Sequence, residues 1–236
     1  MKNKIILITS LILSIILFAN FTNALITTLV PNNDTTGKVT SGQITENTYT
    51  IVSEADISGT CYDAVNVSGG TVCLQAGAAA NDAFFIWNIT LPEYQTLNNI
   101  TLKSNASKPT QNVRTDNINL SLYNFTSGNW ISVNISIDPG QNVYVILTYI
   151  IDTTGEITNF VNGTLVRMMS HTQGVDNEDI NQDYLEAIVD YTSISKSSAN
   201  ISQQISINEQ TSTKLNFQRN PDQIVDINEI VSVKTP

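Results

Sequence analysis

Apolar and polar residues alternate in short runs along most of this chain. In "FFIWNITL", Phe85, Trp87, Ile89 and Leu91 share one face and Asn88 and Thr90 the other. In "YLEAIVDY", Leu185, Ala187, Val189 and Tyr191 point one way and Glu186 and Asp190 the other. A period of two is the mark of half-buried strands. "NVYVILTYI" is apolar on both faces, which predicts a central, covered strand. "NLSLYNFTSGNWISVNIS", residues 119–136, reads as a hairpin. With Thr126–Asn129 as its loop, Phe125 faces Trp130, Tyr123 faces Ser132, Ser121 faces Asn134 and Asn119 faces Ser136. That register gathers Ile118, Leu120, Leu122, Ile131, Val133, Ile135 and Ile137 on a core face. No stretch beyond the leader has helical period. The pattern predicts an all-β chain, a single antiparallel β-sandwich spanning 48–195.

The ends differ. "MKNKIILITSLILSIILFANFTNA" has two lysines, an apolar run from Ile5 to about Ala19, and small residues at Thr22 and Ala24. This is a signal-peptide pattern over 1–24, too short and too broken by Asn20 and Asn23 for a standard spanning helix. A secreted, extracellular cell-surface location follows, with membrane contact only through an uncleaved leader. Residues 25–47 are rich in Thr, Asn, Gly and Pro and read as a linker. The segment 196–236 is polar with weak alternation, reading as a C-terminal extension, edge strands or a donated strand.

In an exported chain, Cys61 and Cys73 across "CYDAVNVSGGTVC" predict one disulfide closing a hairpin around Ser-Gly-Gly-Thr. The spacing is too wide for a redox CxxC, and the lone His171 cannot complete a zinc set. The chain carries 11 basic and 21 acidic residues. Removing Lys2 and Lys4 with the leader makes it more acidic still. Such a chain repels phosphate backbones, which excludes nucleic acid as a partner. N-x-S/T sequons start at Asn33, Asn66, Asn88, Asn99, Asn105, Asn119, Asn124, Asn134, Asn162 and Asn200, and at Asn20 in the leader. Eleven is about twice the chance expectation from the 28 asparagines. The alternation sends Asn88, Asn99, Asn119 and Asn134 away from the apolar face, where glycans could be carried.

"ITLKSNAS", "INLSLYNFTSGNWISV", "ITNFVNGTLVRMMS" and "YLEAIVDYTSI" occur in that order. Over about residues 80–195 they resemble the jelly-roll, galactose-binding-like β-sandwich modules of prokaryotic, archaeal-type surface proteins. The resemblance implies a jelly-roll-like sandwich, a surface context, and structural roles for Tyr123, Trp130, Gly163 and Asp190. Such modules are similar to carbohydrate-binding domains, and others act as spacers, adhesins or S-layer parts.

Three constellations carry candidate chemistry. Tyr123, Phe125 and Trp130 cluster at the hairpin tip, as a sugar-stacking platform or as a cross-strand packing cluster. "GVDNEDINQDY" offers Asp176, Glu178, Asp179, Asn181 and Asp183, oxygen donors for a structural Ca²⁺ or a solvated acidic loop. With Tyr184 at the sixth position where an EF-hand needs Gly, the loop is not an EF-hand. His171 follows Ser170, but no nucleophile elbow exists and no carboxylate pair is marked out. No enzyme is expected. The expectation is an exported, N-glycosylated structural or adhesive surface protein whose partners are envelope proteins, glycans or further copies of itself. The alternatives are a carbohydrate-binding module and a filament subunit assembled by strand donation from 25–47 or the tail.

Overall fold

A computed structural model describes residues 24–32, 37–46, 48–78, 80–109, 116–174 and 178–193. The leader up to residue 23 and the segment 196–236 lie outside them. Among the described residues, eleven strands form two antiparallel sheets packed as a jelly-roll-like β-sandwich. They are β1 (Ala24–Leu29), β2 (Val39–Thr45), β3 (Ile51–Asp56), β4 (Cys73–Gln75), β5 (Asn81–Thr90), β6 (Thr96–Ser107), β7 (Asn117–Asn124), β8 (Asn129–Ser136), β9 (Val145–Ile151), β10 (Leu165–Gln173) and β11 (Ile180–Thr192). Helices α1 (Thr60–Val65) and α2 (Thr154–Phe160) interrupt them. One sheet runs β3-β2-β5-β10-β7-β8; the other runs β1-β11-β6-β9, with β4 on β11. Between β5 and β11 the chain crosses repeatedly from one sheet to the other, so both inner faces fill as the strands are laid down.

The core follows the period of two. Phe85, Trp87, Ile89 and Leu91, as expected, meet Ile118, Leu120 and Leu122 of β7 and Leu185, Ala187 and Val189 of β11. Few polar groups enter this interior. Ser104 donates to Ser170 across the two sheets at 2.8 Å, and the Gln182 amide donates to Ser104 and to the Asn105 carbonyl.

Four expectations are corrected. Residues 25–47 are not simply a linker, because β1 pairs with β11 and β2 lies between β3 and β5. Their threonines and β-branched residues suit a strand as well as a linker. The disulfide Cys61–Cys73 is present, but its arms are not a hairpin. Gly59, at φ 58°, leads into α1, and the disulfide pins that helix to β4. "NVYVILTYI" supplies β9 at a sheet edge, leaving Ile146 and Ile150 exposed rather than covered.

The fourth is the hairpin register. Tyr123 pairs with Trp130 and Asn124 with Asn129, so the loop is Phe125–Gly128. The Asn124 carboxamide accepts from the backbone of Thr126 and Ser127, and Gly128 supplies the left-handed residue at φ 73°. Further down, a bulge makes Leu120 face Asn134 while Ser121 faces Ser132. The extra residue reverses the sides beyond it, so Ile135 and Ile137 are exposed. Asn134 instead donates to the Thr148 carbonyl and ties β8 to β9.

Candidate functional site

The outer face of the six-stranded sheet is not a plain solvated surface. Arg167, Met169, His171 and Gln173 alternate along β10 with the core-facing Val166 and Met168. Met169 joins Ile44 of β2, Phe84 and Ile86 of β5 and Trp130 of β8 in a second apolar cluster, with Tyr49 and Tyr123 packed against it. The strand β5 is therefore apolar on both sides.

Beside this cluster lies an open groove of about 370 Å³, lined by Tyr49, Thr50, Ile51, Tyr123, Gly128, Asn129, Trp130 and Arg167. The β2–β3 connection forms one wall and the β7–β8 hairpin tip the other. The hairpin aromatics pack edge to face: the Tyr123 ring lies 5.2 Å from Phe125 and 5.4 Å from Trp130. Arg167 extends over the Tyr123 and Trp130 rings, 4.9 and 5.2 Å from their centroids. Its Nε donates to the Asn88 carboxamide oxygen at 3.0 Å, which fixes the guanidinium plane. Trp130 is 7 % exposed. The three aromatics are thus brought together as expected, but not as an open stacking platform, because mutual packing and Arg167 cover their faces. Arg167 and Tyr49 belong to the site and were missed. The alternation of "LVRMMSHTQ" places Arg167 outward; nothing local in the sequence places Tyr49.

Deeper on the same face, His171 is 1 % exposed. Its Nδ1 meets the Thr172 carbonyl at 2.8 Å, which requires the proton on Nδ1. Nε2 therefore accepts from the Ser121 hydroxyl at 3.0 Å, and Tyr49 donates in turn to Ser121 at 3.3 Å. Burial pushes the histidine pKa down to about 4, against a smaller upward pull from the Thr172 carbonyl. The partner is Ser121 and not the adjacent Ser170, which faces the core. The adjoining cavity, lined by Thr48, Tyr49, Asp82 and Gln173 among others, measures about 20 Å³. That is room for about one water molecule.

The sequons separate by environment. Asn162 is exposed in the turn before β10. Asn66, Asn88, Asn99, Asn124 and Asn134 are half-buried. Asn119 is fully buried, donating to Gln173 at 2.7 Å, and Asn105 is buried, donating to Asp183 at 2.6 Å. Asn119 does lie opposite the core, as the alternation says, but that face is itself covered. Asn33 and Asn200 lie outside the described residues.

Among the described residues, the side chains of the acidic loop are engaged separately. Asp179 accepts from the Gly77 backbone, and Asp183 accepts from the Gly69 backbone and Asn105. Asn181 is already in β11, where successive side chains turn to opposite faces. Glu178 is buried, and Asp176 lies outside the described residues.

No protein-family model matches this chain, and no curated protein matches it. Solved structures overlap with it at low identity. A xylan-binding module, CBM15, is 12% identical with a TM-score of 0.42, over 69% of this chain and 95% of that one. Xylanase10C from Cellvibrio japonicus in complex with xylopentaose is 10% identical with a TM-score of 0.40, over 70% and 29%. TmCBM61 in complex with beta-1,4-galactotriose is 10% identical with a TM-score of 0.32, over 73% and 90%. Likenesses of this extent say nothing of what this chain binds.

Proposed function

We propose that this protein is an exported β-sandwich that binds glycan in the groove between Tyr49–Ile51 and the β7–β8 hairpin tip. One observation carries the reading: an open groove with aromatic walls and a guanidinium held rigid inside it. Its volume falls in the range of small-molecule sites. A sugar needs apolar ring surface for its C–H faces and fixed polar groups for its hydroxyls. The half-buried Tyr49, the exposed Ile51 and the ring edge of Tyr123 supply the first; Arg167, Asn129 and Thr50 supply the second. Arg167 is the single charged residue in the lining, which suits a hydroxyl-rich or carboxylate-bearing sugar and not a cationic ligand.

The leader pattern, the disulfide and the sequons support an extracellular setting, where glycan binding would give an adhesive component of a cell surface. No helix among the described residues is long and apolar enough to cross a membrane. Screening the chain and its variants Arg167→Ala and Asn129→Ala, the second at an exposed lining residue, on a glycan array tests the reading. The parent is expected to bind a defined glycan class, and each variant at least ten-fold more weakly with its melting temperature retained. A parent that binds no glycan, or variants that bind as it does, would overturn it.

A further inference from the structure

Asp116, just before β7, is completely buried, and neither carboxylate oxygen meets a hydrogen-bond donor. A buried carboxylate without a donor is costly, and proteins relieve it by protonation, by an ion pair or by a metal ion. The oxygens do have company of their own kind. A Cβ placed on Gly174 would sit 2.7 Å from Asp116 Oδ1 and 2.5 Å from Glu178 Oε1. The two acidic side chains therefore close over the same glycine, Glu178 from the far end of the β10–β11 connection and Asp116 from the start of β7. Glu178 is also completely buried. Asp82, a third buried carboxylate, accepts from the Gly174 backbone N–H at 3.2 Å and holds the glycine in place.

We infer that Asp116 and Glu178 form a binding site for a divalent cation of the Ca²⁺ class at this end of the sandwich. Hard carboxylate oxygens, no nitrogen or sulfur donor and a glycine that leaves space between them match Ca²⁺ chemistry. Among the described residues no three Asp, Glu, His or Cys side chains close on one metal-binding point. Carbonyl and water oxygens complete the shell, as Ca²⁺ allows and the stricter octahedron of Mg²⁺ favours less. Gly174 has a specific reason to be glycine here, since a methyl group would press on both ligand oxygens. The site differs from the acidic-loop set that the sequence suggests: of that set it keeps Glu178, and Asp116 comes from a distant segment. It is also independent of the glycan groove. Asp116 and Tyr123 stand at opposite ends of β7, about 23 Å apart at the rise of an extended strand.

The test uses the full chain, stripped with EGTA and desalted, with Ca²⁺ alone as the probe in calorimetric titration and thermal melting. The parent is expected to bind one equivalent and to melt higher in Ca²⁺ than in EGTA, with Mg²⁺ weaker. Asp116→Asn is expected to bind at least ten-fold more weakly, while Asp63→Asn, on an exposed carboxylate of α1, binds as the parent does. Should Asp116→Asn fail to fold, Glu178→Gln takes its place, and the parent's own melting shift still decides. No heat and no shift in the parent, or undiminished binding by Asp116→Asn, would overturn the inference. So would an Asp116→Asn chain that melts higher than the parent equally in Ca²⁺ and EGTA, which would mean that the two carboxyls share a proton.

Discussion

His171 is held neutral by its surroundings. Buried against Tyr49 and Ser121, with Asp82 on the same small cavity, its ring has a pKa near 4, against about 6.5 in an unfolded chain. A depressed histidine pKa means that the unfolded chain takes up the proton first. The associated stability is complete above about pH 6.5 and is lost as pH falls towards 4. The gap corresponds to about 3 kcal/mol. Urea unfolding at pH 7 and pH 4.5 is expected to show most of that loss in the parent and a smaller fall in His171→Gln. Equal pH dependence in the two chains would contradict the assignment. Trp130 shows the limit of reading exposure from alternation. Its face is opposite the core, yet Tyr123, Met169 and Arg167 cover it. Trp130→Ala is therefore expected to cost about 3–5 kcal/mol in denaturant unfolding, as for a core aromatic, and is unsuited to probing binding. The same cover decides the sequons. Glycopeptide mapping of protein from its native source is expected to find glycan at Asn162 and none at Asn105 or Asn119. Occupancy at Asn119 in folded protein would contradict the burial described.

At the scale of elements, β5 and β11 were legible because each obeys strict alternation against a filled interior. The hairpin was legible as a hairpin, but its register was not. Two local features moved it: the Asn124 side chain bracing the turn, and one extra residue in β8. Neither changes the apolar pattern enough to be read from it. The edge position of β9 was hidden for another reason, since apolar residues on both faces do not reveal whether a neighbour covers them. Helix α2 was not foreseen, although its start carries a capping box: Thr153 accepts from the Glu156 backbone and Glu156 reaches back to the Thr153 N–H. Tyr149 donates to the same Glu156 carboxylate, which lowers the Glu156 pKa, while burial first and this bond second push the tyrosine up to about 12. Thr153→Ala is expected to lower stability by about 1 kcal/mol in urea unfolding. The Cys61–Cys73 disulfide closes a short loop, and its removal by Cys61→Ala with Cys73→Ala is expected to cost about 3 kcal/mol. A loss near zero would mean that α1 and β4 hold together without it.

For the whole molecule, the sandwich class was written in the repeated period of two. The functional face was not, because it is assembled from β2, β5, β10, β7 and β8, strands far apart in sequence. The groove joins three separate segments, Tyr49–Ile51, the hairpin tip and Arg167, and sheet order alone brings them together. The same is true of Asp116 and Glu178, brought together by the ends of β7 and β11. The chain's two tryptophans separate the two sides of the β5 sheet: Trp130 borders the groove, and Trp87 lies in the sandwich core. The indole N–H resonances of ¹⁵N-labelled protein therefore report on the central claim directly. On titration with a glycan that binds the chain, the Trp130 indole signal is expected to shift with the same saturation curve as binding, while that of Trp87 stays in place. Saturable binding that leaves the Trp130 signal unmoved would show that the groove is not where this protein holds its glycan.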